Sequence, residues 1–145
     1  MTVTAPPVDS RAIGLAHYAA RAVLERVLSR HDATFPQQIT LRSVVVADRP
    51  PTREALVALV VASLEADRAE VHATVDQLPA KGLVSADGGT VRATDAGRAL
   101  YETASAESGA VSARIYAGIP AEDRAAAGRV LALVTERADA ELAAM

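Results

Sequence analysis

Apolar residues recur at helical spacing along much of the chain, so the pattern predicts a mainly helical protein. A first helix is expected over residues 11–30. Its apolar stripe consists of Ile13, Ala16, Ala20, Val23, Leu24 and Val27. Leu15 and Tyr18 extend the apolar surface beyond that stripe, so the helix needs cover on two sides. In a chain of 145 residues we expect a subunit interface to supply part of that cover.

Two shorter helices are predicted next, on either side of a proline-rich break at residues 49–51. The first covers residues 34–47, although its β-branched run at 39–46 is also compatible with a strand. The second covers residues 53–62 and follows Thr52, a residue type that caps helix N-termini by accepting a bond from a free backbone N–H.

A fourth helix follows a short turn predicted at residues 63–66. Asp67 begins it, and the acid at Glu70 gives the spacing of a capping box. Its inward stripe is Val71, Val75 and Leu78. Gly82 ends the helix because glycine readily takes the left-handed conformation found there.

A β-hairpin is predicted after this helix, with strands at residues 83–86 and 90–93 around the turn residues 87–89. Two long helices complete the chain, at about 94–117 and 121–144. A pair of helices joined by a short turn and followed by a hairpin is a winged helix-turn-helix. The fold class is therefore mainly α with a small β-hairpin wing.

Composition limits the kind of protein without naming its function. There is no cysteine, which excludes disulfides and thiolate metal sites. No signal peptide and no membrane-spanning stretch is recognisable, so we expect a cytoplasmic protein without a membrane partner. The net charge is −3, and residues 42–98 carry seven basic against eight acidic side chains. Any DNA-facing positive patch must come from clustering in the fold.

Three segments resemble the MarR (multiple antibiotic resistance regulator) family. Residues 78–84, LPAKGLV, are similar to the end of the family's recognition helix. Residues 93–100, ATDAGRAL, are similar to its exit from the wing, and residues 119–124, IPAEDR, to the opening of its last helix. The resemblance covers about residues 12–142. It implies a homodimer with intertwined first and last helices, and a repressor of transcription released by a small, often aromatic, ligand.

The resemblance also implies a division of the chain. Residues 1–8 would be a flexible arm and residues 9–145 a single winged-helix domain. Within it, residues 34–94 form the winged helix-turn-helix, while 9–33 and 95–145 form the dimerisation helices. One departure concerns the wing: the family usually has a longer wing with an aspartate–arginine pair, whereas here the hairpin is short and its one arginine, Arg92, is away from the tip.

The predicted recognition helix presents an unusual face to DNA. With its apolar stripe inward, the outward positions are Ala66, Ala69, Ala73, Asp76 and Ala80. Alanine contacts thymine methyl groups but donates no hydrogen bond to a base. The candidate DNA-binding residues are Arg68, His72 and Gln77 for bases, with Arg53 and Arg92 for phosphates. The alternative for each is an ordinary solvated surface side chain.

A ligand site is expected between the dimer helices and the winged-helix core. The candidates are His17, Tyr18, Arg21 and Arg42, since an arginine suits a carboxylate and a tyrosine an aromatic effector. Catalysis is not expected, because the three histidines lie on separate elements and no glycine-rich phosphate loop occurs. We expect no cofactor and no metal. The alternative function is a winged-helix dimer that binds a protein or small molecule, with weak or no specific DNA binding.

Overall fold

The computed structural model describes residues 4–145, and within them the chain forms six α-helices and one β-hairpin. The helices are α1 Ser10–Ser29, α2 Phe35–Val45, α3 Arg53–Leu64, α4 Arg68–Ala80, α5 Asp95–Tyr116 and α6 Ala121–Ala144. The strands are β1 Val84–Asp87 and β2 Thr90–Ala93. This order confirms the mainly α fold with a helix-turn-helix and a small wing.

Short polar side chains cap the N-termini of the first four helices. Asp9, Thr34, Thr52 and Asp67 each accept a bond from a backbone N–H in the first turn of α1, α2, α3 and α4 respectively. Each bond satisfies a donor that has no partner within its helix. At the start of α4 the bond runs to Ala69, two residues after Asp67.

The β-branched segment in α2 is helical, so the predicted helix is confirmed over the competing strand. A full capping box starts this helix: Thr34 Oγ1 accepts from the Gln37 backbone, and the Gln37 side chain accepts from the Thr34 backbone. The hydroxyls of Thr40 and Ser43 donate back to carbonyls four residues earlier. These local bonds and the burial of Leu41 outweigh the strand propensity.

The connection between α3 and α4 is shorter than predicted. The expected turn at residues 63–66 is wrong at its start, because α3 continues to Leu64. Glu65 then takes a left-handed conformation, with φ of 48°, and Asp67 caps the next helix. A tight reversal of this kind orients α4 across α3, as a helix-turn-helix requires.

The main core lies among α2, α3, α4 and the hairpin. Its buried members are Leu41, Val44, Leu56, Val57, Val60, Val71, Val75, Leu78, Leu83, Val84 and Val91. The inward stripe predicted for α4 is therefore confirmed, and Thr74 is buried beside it. A smaller cluster joins Leu28, Ala33 and Ala104, which attaches α1 and α5 to this unit.

The wing is a two-residue hairpin. Gly88 and Gly89 both have positive φ, 58° and 87°, so the turn is accessible to glycine at little cost. β1 pairs with β2 in antiparallel register, with Asp87 opposite Thr90. An isolated bridge between Thr52 and Thr90 ties the start of α3 to the wing. The wing is thereby fixed to the same core as α4.

The chain divides into two compact units, one up to Gly109 and the other Ala110–Met145. Residues 4–8 are exposed and have no regular secondary structure, whereas residues 1–3 of the predicted arm lie outside the described residues. None of the helices in residues 4–145 is long and apolar enough to cross a membrane.

Candidate nucleic-acid interface

Helix α4 presents the predicted face except at Ala66, where the prediction is wrong because Ala66 precedes the helix and packs, partly buried, against the core. Ala69, Ala73, Asp76 and Ala80 are exposed, as are Glu70 and Gln77. Apolar and acidic side chains thus dominate the surface that a recognition helix places in the major groove. The groups on this surface that could donate to or accept from a base are the few polar side chains on or beside α4.

Arg68 is the first residue of α4 and is exposed. Within residues 4–145 its side chain forms no hydrogen bond and no ion pair. The N-terminal end of a recognition helix is where base edges are usually contacted. Arg68 therefore keeps all five guanidinium donors available at the position where they are most useful.

Arg53, the first residue of α3, reaches across to α4. Its Nη2 lies 2.8 Å from Asp76 Oδ1 and 3.2 Å from His72 Nδ1. Because a guanidinium has no acceptor, His72 Nδ1 must accept in this contact, and Nε2 is the ring nitrogen left to donate. Three of the polar groups near the recognition face are thus joined to one another.

Pairing with Asp76 reduces the positive charge that Arg53 offers to a phosphate. The Arg53 and Asp76 side chains are 42% and 67% exposed, so the pair itself adds little to stability. The Nε and Nη1 groups of Arg53 form no bond within the described chain, and they remain free for a second acceptor. The sequence predicts Arg53 and Asp76 on this surface, but no local pattern predicts the contact between them.

Gln77 is held by a side chain of α2. Gln37 Nε2 donates to Gln77 Oε1 over 2.8 Å, while Gln37 Oε1 accepts from Lys81 Nζ over 3.1 Å. Gln37 is buried, and its amide orientation is set by the Lys81 and Thr34 donors. Gln77 therefore has its amide NH2 group free, but its carbonyl oxygen is already engaged.

The wing contains an aspartate–arginine pair after all. Arg92 Nε lies 3.6 Å from Asp87 Oδ2, and both side chains are more than half exposed. The pair lies on the facing strands instead of at the turn, which consists of Gly88 and Gly89 alone. The Arg92 guanidinium is thus accessible to a phosphate, and only its loose ion pair with Asp87 competes for it.

The four predicted ligand residues form no hydrogen bond or ion pair with one another within residues 4–145. His17 and Tyr18 are neighbours on α1 with ring centroids 5.8 Å apart, and Tyr18 is 69% exposed. Arg21 pairs with Glu25 and lies over the ring of Phe35. Arg42 is exposed on α2.

Comparisons with known proteins rest on structure. No protein-family model and no curated protein matches the chain. Solved structures of MarR-family regulators do match, and three of them represent the group. MarR from E. coli in its reduced form has a TM-score of 0.69 and 23% identity, over 90% of this chain and 95% of that one.

A MarR-family protein of Mycobacterium tuberculosis in complex with DNA gives a TM-score of 0.66 and 21% identity, covering 88% of this chain and 98% of that one. CouR from Rhodococcus jostii, bound to p-coumaroyl-CoA, gives 0.69 and 20%, covering 82% and 85%. At these identities the similarity establishes the fold. This chain has the winged-helix fold of MarR-family transcriptional regulators.

Proposed function

We propose that the chain is a MarR-type transcriptional regulator that binds a duplex operator as a homodimer and represses until a small ligand releases it. The observation that carries the proposal is the pairing of a complete winged helix-turn-helix with an unpaired, exposed arginine at the start of its second helix. The fold provides a helix, α4, that can enter the major groove. Arg68 on that helix carries guanidinium N–H groups that can donate to guanine.

Apolar surface on the terminal helices supports the homodimer. No residue of α6 is buried in the isolated chain, and its predicted stripe includes Val130, Leu131 and Val134 at 38–43% exposure. On α1, Leu15 is 57% exposed. Apolar side chains repeated along two long helices are typical of a surface that a second subunit covers. The dimer would set the two Arg68-bearing helices about one DNA turn apart, roughly 34 Å.

The roles proposed for the interface residues follow from the donor groups that have no partner within residues 4–145. Arg68 reads base edges, assisted by His72 Nε2–H and the Gln77 amide. Arg53 and Arg92 contact phosphates with the donors that Asp76 and Asp87 leave free. The M. tuberculosis relative in complex with DNA supports this use of the fold.

The proposed effector is an aromatic or carboxylate ligand held near α1 and α2 by His17, Tyr18, Arg21 and Arg42. The structure of CouR with an aromatic acyl-CoA supports an anionic aromatic effector for a protein of this fold. Tyr18 is 69% exposed in the single chain, which leaves it accessible to a ligand or to a second subunit. No catalytic role is proposed for any of these residues.

Asp76→Asn is expected to raise affinity for duplex DNA of any sequence severalfold. The change removes a negative charge from the DNA-facing surface and leaves Arg53 without its ionic partner. Arg53 is then no longer neutralised by Asp76, so its phosphate contact is expected to strengthen and to add up to about 0.9 per chain to the slope of log affinity against log salt. Fluorescence anisotropy with a random duplex over a salt series measures both quantities.

Glu70→Gln is the matched control, because it removes the same charge from α4 at a residue with no ion-pair partner within residues 4–145. It is expected to raise affinity less than Asp76→Asn and to leave the salt slope unchanged. Equal effects of the two substitutions would mean that Arg53 does not reach a phosphate.

The proposed function is tested by stoichiometry on the upstream intergenic DNA of the chain's own gene. Sedimentation of the protein with a labelled duplex is expected to show two chains per bound site, and binding is expected to survive an excess of shuffled duplex. A complex with one chain per site, or one displaced equally by shuffled DNA, would contradict a homodimeric operator-binding protein.

The alternative is a winged-helix dimer whose partner is a protein or a small molecule. The observation that favours it is the pairing of both proposed phosphate-binding arginines, Arg53 and Arg92, with acids. In that case neither the wild-type chain nor Asp76→Asn discriminates operator from shuffled DNA, and the dimer still forms.

A further inference from the structure

A small polar cleft lies on the first compact unit, at the end of α2, under β2 and beside the start of α5. Its volume is about 240 Å³. Three arginines line it, namely Arg49, Arg92 and Arg98, together with the single acid Asp48. None of the lining residues belongs to α3 or α4, so the cleft is separate from the helix-turn-helix surface.

The charges around this arginine cleft are not balanced within the chain. Arg49 and Arg98 form no ion pair in residues 4–145, and Arg92 has only the 3.6 Å contact with Asp87. Three guanidinium groups therefore face one carboxylate in the lining. A concave surface lined by like charges focuses its potential and attracts counter-ions.

The walls of the cleft are fixed by the core. Val44 and Val91 line it and are 4% and 7% exposed, so they belong to the packed interior. Pro50 restricts the loop that carries Arg49, since its ring locks one backbone angle. Three separate elements, the α2–α3 loop, β2 and α5, thus hold the arginines around a cleft whose apolar wall residues are buried.

Size and chemistry together define the ligand. Sites for drug-sized molecules are about 300–1,000 Å³, and this cleft is smaller. Guanidinium groups bind carboxylates and phosphates through two parallel N–H bonds, and their charge is permanent. We propose that the arginine cleft binds a small oxyanion, a phosphate or carboxylate group, which bridges the α2–α3 loop, β2 and α5.

Such binding would reach the DNA interface through Arg92, and this part of the inference rests on the proposed function. Arg92 lines the cleft and also carries the wing's ion pair with Asp87. An oxyanion in the cleft competes with Asp87, and with a DNA phosphate, for the same guanidinium. A bound free anion is therefore expected to weaken operator binding.

The test is thermal unfolding and calorimetric titration of the full chain with inorganic phosphate at constant ionic strength. For wild type we expect saturable binding and a matching rise in Tm. Arg49→Gln and Arg98→Gln are expected to weaken binding roughly tenfold or more, because each removes charged hydrogen bonds. Arg129→Gln, an exposed arginine of α6, is the matched control and is expected to bind phosphate like wild type.

The source of the oxyanion is decided by a second arm with duplex DNA in phosphate-free buffer. If Arg98→Gln weakens phosphate binding but binds DNA like wild type, the ligand is a free anion; if it loses DNA affinity and about 0.9 of the salt slope per chain, the ligand is a DNA phosphate. Both results support an oxyanion site. Phosphate binding that is equal in wild type, Arg49→Gln and Arg98→Gln, with DNA binding also unchanged, overturns it.

Discussion

Arg68→Ala is expected to lower affinity for the operator by roughly thirtyfold or more, because it removes a bidentate base contact of about 1–3 kcal/mol from each half of a dimer. The reason is that Arg68 is the exposed arginine on α4 itself and has no side-chain partner in residues 4–145, whereas His72 and Gln77 each already bond another side chain. Affinity for shuffled duplex is expected to fall much less. Anisotropy titrations on both duplexes measure the two changes.

Arg68→Lys distinguishes base reading from simple charge. It keeps the positive charge but loses the planar fork that matches guanine. We expect the operator preference to be lost while affinity for shuffled DNA is retained. If the lysine variant keeps the preference, Arg68 contacts phosphate only; if Arg68→Ala binds the operator as wild type does, α4 does not read DNA through this residue.

Gly97→Ala is expected to destabilise the protein more than alanine at any other helical glycine of residues 4–145. A Cβ at this position would lie 2.0 Å from the backbone carbonyl oxygen of Leu83, which no side-chain movement relieves. The approach is close because Thr94 bonds both to the Gly82 carbonyl and to the Gly97 N–H, which draws α5 onto the end of α4. Overpacking of this kind costs about 1–3 kcal/mol, and more where backbone must move.

Thermal unfolding measures this cost, at about 2–4 °C in Tm per kcal/mol for a chain of this size. Gly109→Ala is the control on the same helix, because a Cβ there meets nothing within 4 Å. It is expected to leave Tm unchanged or raise it, since alanine favours helix over glycine. A Gly97→Ala protein as stable as Gly109→Ala would contradict the tight contact between α5 and Leu83.

Local signals were sufficient for the fold. Caps such as Thr34, Thr52 and Asp67 are readable because their bonds lie within a few residues, and the stripe of α4 is readable because helical spacing alone turns Val71, Val75 and Leu78 to one side. The turn before α4 was misplaced because nothing local marks Glu65 for a left-handed conformation.

The sequence predicts which residues belong to the candidate site but not the contacts among them. The contacts of Arg53 with Asp76, and of Gln37 with Gln77, depend on how α2 and α3 pack against α4, which no spacing rule gives. The arginine cleft depends likewise on three separate elements meeting. The sequence gives only the balance of seven basic and eight acidic residues, whereas the fold pairs Arg53 and Arg92 with acids and leaves Arg68 unpaired on α4.

The most direct test of the account is the binding of the wild-type chain to its own upstream intergenic duplex, beside a shuffled duplex, from about 50 to about 200 mM salt. We predict tighter binding to the intergenic duplex at every salt concentration, with affinity for both falling steeply as salt rises. Equal affinity for the two duplexes, or no binding even at the lowest salt, would contradict the claim that this winged helix is an operator-binding regulator.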